Sequence, residues 1–305
     1  MPYILLVLAV LFWSGNFVIG RGIHETVPPI SLSFWRWVVA LIIMLPFVVK
    51  PMVRQRDLLR RNWRILSLLA VLGVTNFSSF LYIALQTNTV INTVLINSLM
   101  PVLIVFITWI GFQDRLTYTQ GFGGLISFIG LIWIITRGAP TVLLTIELSR
   151  GDLWTLAATG SWALYSALLR KRPKNMHSMC FLGFITGVGL LFLSPFYVWE
   201  VTHGATFVWT PATAAAVVYI SLFASILAFI FWNRAIEIIG ANRGGIFVHL
   251  MPVFSIVMAI IFLGERLQMY HLPGMAGIIL GIVLTTIGKP GDQKTTGRPL
   301  PEKTK

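Results

Sequence analysis

An arginine stands inside an apolar run at position 36, between Trp35 and Trp37 in the stretch SFWRWVVALIIML. A charge in apolar surroundings is costly unless something pairs with it, and the acid nearest in sequence, Glu25, lies outside the run. The planar guanidinium of Arg36 suits bidentate pairing with a carboxylate or phosphate, which makes it a candidate for recognising an anionic small molecule. The alternative is a side chain that reaches to an interface, with Trp35 and Trp37 in an aromatic belt. A second ionisable group, His249, falls three residues before Pro252. Its imidazole could exchange protons near neutral pH, or hydrogen-bond a carbonyl that the proline leaves unpaired.

Uncharged groups complete the set. Trp13 and Asn16 share one helical face, and Trp162 and Tyr165 repeat their spacing later in the chain. Such aromatic and polar pairs would line a cavity for a partly apolar solute, with packing as the competing role. Asn76 and Asn97, and more distantly Asn92, add amides that suit the same cavity or bind neighbouring helices together. Pro101 and Pro252 each lack an N–H and are read as hinge or gate elements, with static kinks as the alternative. Asp114-Arg115 and Glu265-Arg266 fall at the ends of apolar runs, where local pairing and helix termination are the expected role and locking of a gate is the alternative. The single cysteine, Cys180, cannot form an internal disulfide. The sequence has no phosphate-binding loop and no HExxH motif. No ATPase engine, enzyme, metal site or cofactor is therefore expected.

Membrane helices must position these residues. The chain of 305 residues is 56% hydrophobic and only 11% charged, with a mean hydropathy of +0.83, values that mark an integral membrane protein. A bilayer core needs about 20 apolar residues per helix. Ten stretches approach that length, at 3–21, 30–49, 64–85, 90–111, 118–136, 152–170, 178–199, 212–233, 241–263 and 271–288. The first has no preceding Lys or Arg and no small-residue cleavage site, so it reads as a retained helix rather than a signal peptide. The formal charge of +13 does not point to nucleic acid, because its Lys and Arg fall mainly in the gaps between apolar runs. Eighteen of the 23 fall in alternate gaps and the tail, and four in the other gaps, which places both termini in the cytoplasm.

The chain is also a diverged tandem duplication. An offset of 151 carries Met100-Pro101 onto Met251-Pro252 and Asp114-Arg115-Leu116 onto Glu265-Arg266-Leu267, without a gap. Nearer the start of each half an offset of 149 carries Trp13 onto Trp162 and Pro46-Phe47 onto Pro195-Phe196. Each half holds five helices, an odd number, so the halves must cross the membrane in opposite senses. The expected domains are a first repeat over 1–137, an external linker over 138–150, a second repeat over 151–288 and a disordered cytoplasmic tail over 289–305. Small-residue runs, Gly121, Gly123, Gly124, Ser127 and Gly130 against Gly274, Gly277 and Gly281, suit close helix contact.

These features resemble the drug/metabolite transporter superfamily, specifically its ten-helix EamA-type members. The two Met-Pro helices, LGERL at Leu263–Leu267, YIAL at Tyr82–Leu85, and the GFGGLISFIG and PGMAGIILGIV stretches carry the likeness. The first copy departs from the usual Gly-Glu pair, with Gln113-Asp114 in its place. The resemblance implies an all-α membrane protein of ten transmembrane helices in two inverted five-helix repeats. It also implies alternating-access movement of small metabolites, with efflux of amino acids or related compounds across a bacterial inner membrane as the expectation. The expected partners are a small-molecule substrate and the lipid bilayer, in a monomer or a homodimer. Competing readings are a non-transporting scaffold or enzyme subunit, a proton-independent facilitator, and an exporter of drugs, nucleobases or sugars. Apart from Asp152 at the start of the sixth run, the first and sixth helices hold no acid inside their apolar runs, so the buried-glutamate proton exchange of the small four-helix relatives lacks its key group.

Overall fold

The computed structural model describes residues 1–114, 117–139, 141, 149–263 and 268–287. Arg115, Glu265, Arg266, much of the linker and the 289–305 tail lie outside them. The described residues form helices and no strand. In chain order these are α1 (Pro2–Gly22), α2 (Pro29–Arg54), α3 (Arg56–Arg61), α4 (Trp63–Ala70), α5 (Phe77–Thr87), α6 (Val90–Asn97), α7 (Met100–Phe112) and α8 (Tyr118–Ile135). They continue with α9 (Arg150–Leu168), α10 (Ser178–Thr202), α11 (Pro211–Tyr219), α12 (Ala228–Ile239), α13 (Ala241–Gly245), α14 (Leu250–Leu263) and α15 (His271–Ile287). Each apolar stretch read from the sequence is helical over most of its described residues, with Ser98, Leu99 and Thr136 in turns.

Local chemistry starts these helices where they start. Proline occupies the first turn of α1, α2, α7 and α11, where its missing N–H has no helical partner to lose. Capping boxes open α8 with Thr117 and Gln120, α9 with Ser149 and Asp152, and α11 with Thr210 and Thr213. Two joints are π turns: Val71–Asn76 links α4 to α5, and Ile220–Leu227 links α11 to α12. Trp63–Thr87 and Pro211–Ile239 therefore each continue as one rod.

Among the described residues seven helices are long and apolar enough to cross a membrane: Pro2–Gly22, Pro29–Arg54, Trp63–Thr87, Asn92–Phe112, Ser178–Thr202, Pro211–Ile239 and Ala241–Met258. α8 and α15 are apolar but shorter. α9 is 19 residues long, but it buries Asp152, Thr155, Thr159, Ser161 and Ser166 inside the bundle, so its composition is less apolar. The exposed large side chains on α2 and α10, such as Ile42, Phe47, Leu191 and Phe196, are apolar, as expected for surfaces that face lipid.

Each Met-Pro segment is one span whose α-helix is interrupted by a short, tighter stretch with right-handed helical backbone. α6 stops at Asn97 and α7 begins at Met100. In the second copy a 3₁₀ stretch, Ile246–His249, separates α13 from α14. Pro101 thus lies in the first turn of α7, and Pro252 is the third residue of α14. Close contact through small residues is present between α8 and α15. A Cβ added to Gly123 would lie 2.6 Å from Gly281 O, and one added to Gly130 would lie 2.6 Å from Gly274 O. The 151 offset relates Gly123 to Gly274 and Gly130 to Gly281, so the contact is reciprocal in the manner of a two-fold interface.

Candidate functional site

Arg36 lies on the buried face of α2 and is only 1% exposed, so it does not reach outward to an interface. Its Nε donates to Ser225 Oγ at 2.8 Å and its Nη1 to Tyr82 Oη at 2.7 Å. The guanidinium also lies 5.0 Å from the Trp37 ring centroid and 5.6 Å from that of Tyr82, distances at which the ring quadrupoles favour a cation. Among the described residues no carboxylate is within ion-pairing distance of it. The flanking tryptophans separate. Trp37 is fully buried and donates to Ser78 Oγ at 3.1 Å, whereas Trp35 is half-buried in an aromatic group with Tyr197 and Trp209.

Tyr82 passes the network on. Its hydroxyl donates to Asn16 Oδ1 at 2.6 Å, joining α1, α2 and α5. The second half contains the same bond with its residues exchanged, Tyr165 Oη to Asn233 Oδ1 at 2.9 Å. The offsets pair Asn16 with Tyr165 and Tyr82 with Asn233, so each tyrosine stands where the other half has asparagine. Arg36 and Ser225 have no such echo, because Ile185 and Val74 stand at their counterparts.

Trp13 and Trp162, also counterparts, meet at the centre with ring centroids 5.0 Å apart in an edge-on arrangement. Phe77, Phe229 and Trp232 pack around Trp162. Trp13 Nε1 donates to Ala224 O at 3.1 Å, whereas Trp162 Nε1 is buried without a partner among the described residues. The expected cavity-lining residues Trp13, Asn16, Trp162 and Tyr165 thus converge with Arg36 through shared neighbours.

His249 and Asn97 lie along the broken Met-Pro segments. His249 Nε2 is 3.1 Å from Ser98 O, which can only accept, so Nε2 carries the proton. Nδ1 then accepts from Ser127 Oγ at 2.7 Å. Both ring nitrogens are occupied, and Ser98 is the position the 151 offset pairs with His249. Asn97 donates to Met251 Sδ at 3.3 Å and accepts from Thr159 Oγ1 at 3.3 Å. Asn76, half-buried at the end of the first π turn, makes no side-chain hydrogen bond among the described residues. A cavity of about 240 Å³ runs beside this region and is lined in part by Pro101, Gln120, Phe128, Asn242 and His249.

Three contacts lay beyond the sequence reading. Glu200 of α10 accepts from Ile30 N, Ser31 N and Ser31 Oγ at 2.7–3.0 Å, capping α2 from another helix. Asp152 accepts from Asn88 Nδ2 at 2.7 Å. Asp114 pairs with Arg170, just past the end of α9, at 2.6 Å; Arg115, its expected local partner, lies outside the described residues. Tyr82 stood out only as the first residue of the YIAL motif, and Ser225 gave no signal beyond being polar in an apolar run.

The EamA-like transporter family matches the chain twice, over residues 1–136 and 149–287. Uncharacterized transporter YyaM of Bacillus subtilis (strain 168) is 27% identical over 291 residues, covering 94% of this chain and 93% of that protein. An uncharacterized transporter of Archaeoglobus fulgidus is 28% identical over 291 residues, with 93% and 96% covered. A solved crystal structure superposes with a TM-score of 0.74 at 18% identity over 93% of this chain and 96% of that one, which shows a shared fold. With its several apolar helices, the protein is a multi-pass membrane protein. The chain belongs to the EamA-like transporter family.

Proposed function

We propose that the protein is a secondary transporter that moves small metabolites bearing an anionic group by alternating access between two inverted five-helix repeats, over 1–137 and 151–288, with ten transmembrane helices in all. The carrying observation is Arg36, fully buried, oriented by Tyr82 and Ser225 and without a carboxylate partner among the described residues. A desolvated cation of this kind is stabilised further by an anion entering the site. The repeated Tyr–Asn bonds, the repeated π turns and the contacts between offset-related residues support two equivalent halves meeting at a central site. Trp13, Asn16, Asn97, Trp162 and Tyr165 line that site in other phases of the cycle, with Asn76 at its margin. The breaks before Pro101 and Pro252 allow the segments to rock. His249 holds the two broken segments together. Amino acids are the leading substrate class, with export across the inner membrane and both termini cytoplasmic.

The test is flux in proteoliposomes loaded with labelled amino acids, and with sugars and nucleobases as comparison. Arg36→Gln is expected to cut flux of a carboxylate substrate by tenfold or more, roughly the effect of losing one charge-assisted hydrogen bond. Carboxylate flux equal to wild type in Arg36→Gln, or no flux of any of these solutes in wild type, would overturn the proposal.

A further inference from the structure

The two π turns end in the same way. Phe77 N–H closes onto Leu72 O in the first, and Ala228 N–H onto Phe223 O in the second, bonds related by the 151 offset. Returning from the five-residue spacing of a π turn to the four-residue spacing of an α-helix passes over the next carbonyl. Those carbonyls are Gly73 and Ala224, again related by 151. Trp13 fills the second of them. Its counterpart Trp162 is 1% exposed, and its indole N–H has no acceptor among the described residues.

Gly73 is close at hand. Ser161, the residue before Trp162, donates to Leu72 O at 2.9 Å. A Cβ on Gly73 would lie 2.8 Å from the ring of Tyr165, so α9 sits directly on the first π turn. A buried N–H without a partner is costly, so a state in which Trp162 reaches that carbonyl recovers what this one forgoes.

We infer that Trp13 and Trp162 form a reciprocal switch: each indole N–H fills the free π-turn carbonyl of the opposite half in one state of the transport cycle, and only the Trp13–Ala224 bond is made in the state described here. The switch rests on the alternation of the two halves proposed above. Each bond biases the equilibrium toward the state in which it is made.

The test uses the full-length protein with Cys180→Ser and one reporter thiol, labelled by a membrane-impermeant maleimide. Val105→Cys places the thiol in the 240 Å³ cavity, and Thr155→Cys at a buried position three residues from Asp152. Trp162→Phe, which keeps only the Trp13 bond, is expected to slow labelling at Thr155→Cys about fivefold relative to labelling at Val105→Cys. Trp13→Phe is expected to shift the same ratio about fivefold the other way. Both variants moving the ratio in one direction, or neither moving it while both thiols label, would overturn the switch but leave alternation standing. Labelling at only one of the two sites in the parent protein would overturn alternation, and the switch with it. Indole ¹⁵N spectra of the protein with both tryptophans intact check the same point without relying on the variants folding. Trp13 and Trp162 should each show two exchanging N–H environments with opposite populations, and a single environment for Trp162 would count against the switch.

Discussion

The two halves of the protein keep one polar bond and differ in what is added to it. Asn16–Tyr82 in the first half and Tyr165–Asn233 in the second join equivalent positions with the residues exchanged. A hydroxyl donating to an amide oxygen serves the scaffold whichever helix supplies it. Beyond that bond the halves part. The first half places Arg36 against Tyr82 and Ser225, while Ile185 and Val74 meet apolar packing at the counterpart positions. A feature kept in both halves belongs to the scaffold, and a charge present in one has a role that the scaffold does not explain.

The largest expected effect comes from forcing the halves to match. Ile185→Arg buries a second guanidinium where Val74 offers no acceptor, and should cost about 3 kcal/mol or more. Size-exclusion yield and thermal unfolding in detergent would show it as loss of folded protein, partly relieved by adding Val74→Ser. Survival of Ile185→Arg at wild-type yield would break the distinction between the halves.

Smaller effects sharpen it. Tyr165→Phe removes one buried hydrogen bond and should lower stability by about 1 kcal/mol, whereas Tyr82→Phe removes two, one of them from the Arg36 guanidinium, and should lower it further. Tyr82→Phe should in addition reduce flux, because it frees Arg36 to turn, whereas Tyr165→Phe should leave flux per folded molecule close to wild type. Equal flux defects would mean that both bonds serve transport alike. His249→Ala, tested as flux against pH, should keep the wild-type pH profile, since both imidazole nitrogens are engaged in holding Ser98 and Ser127. A flattened profile would instead make His249 a proton carrier.

The smallest effect concerns the ends. Arg21 and Arg170 are counterparts, but Arg21 donates to the Leu85 and Gln86 carbonyls at the end of α5, while Arg170 pairs with the partly exposed Asp114. Asp114→Asn should change the melting behaviour by no more than about 0.5 kcal/mol, and less at high salt.

Much of this was legible in the sequence. Apolar run length marked the helical stretches, the paired Met-Pro segments marked the duplication, and the glycines marked surfaces for close helix contact without saying that α8 and α15 meet through them. Arg36 stood out because charge inside an apolar run is rare. Its partners did not stand out. Tyr82 opens a YIAL motif that marks the family without naming a partner, and Ser225 is one of several serines. Ser127, the partner of His249, looked like another small packing residue. The breaks before Pro101 and Pro252 were read as kinks or hinges, because proline marks a disturbed ladder without saying whether the helix bends or restarts. Glu200 was silent because its partners are backbone N–H groups of a helix 169 and 170 residues away in sequence.

The π turns were hidden for a different reason, and they change how the chain can be edited. Each absorbs one residue without passing its rotation on, so a helical wheel drawn through Trp63–Thr87 is wrong by about 100° beyond Asn76. Shortening the chain by one residue within Val71–Asn76 would let the rod close as a plain α-helix, leaving the faces above and below in place and removing the free carbonyl of Gly73. The same deletion one turn further along, inside α5, would swing Tyr82 away from both Asn16 and Arg36. Tolerance of a deletion along this rod is therefore a map of where its angular register is stored.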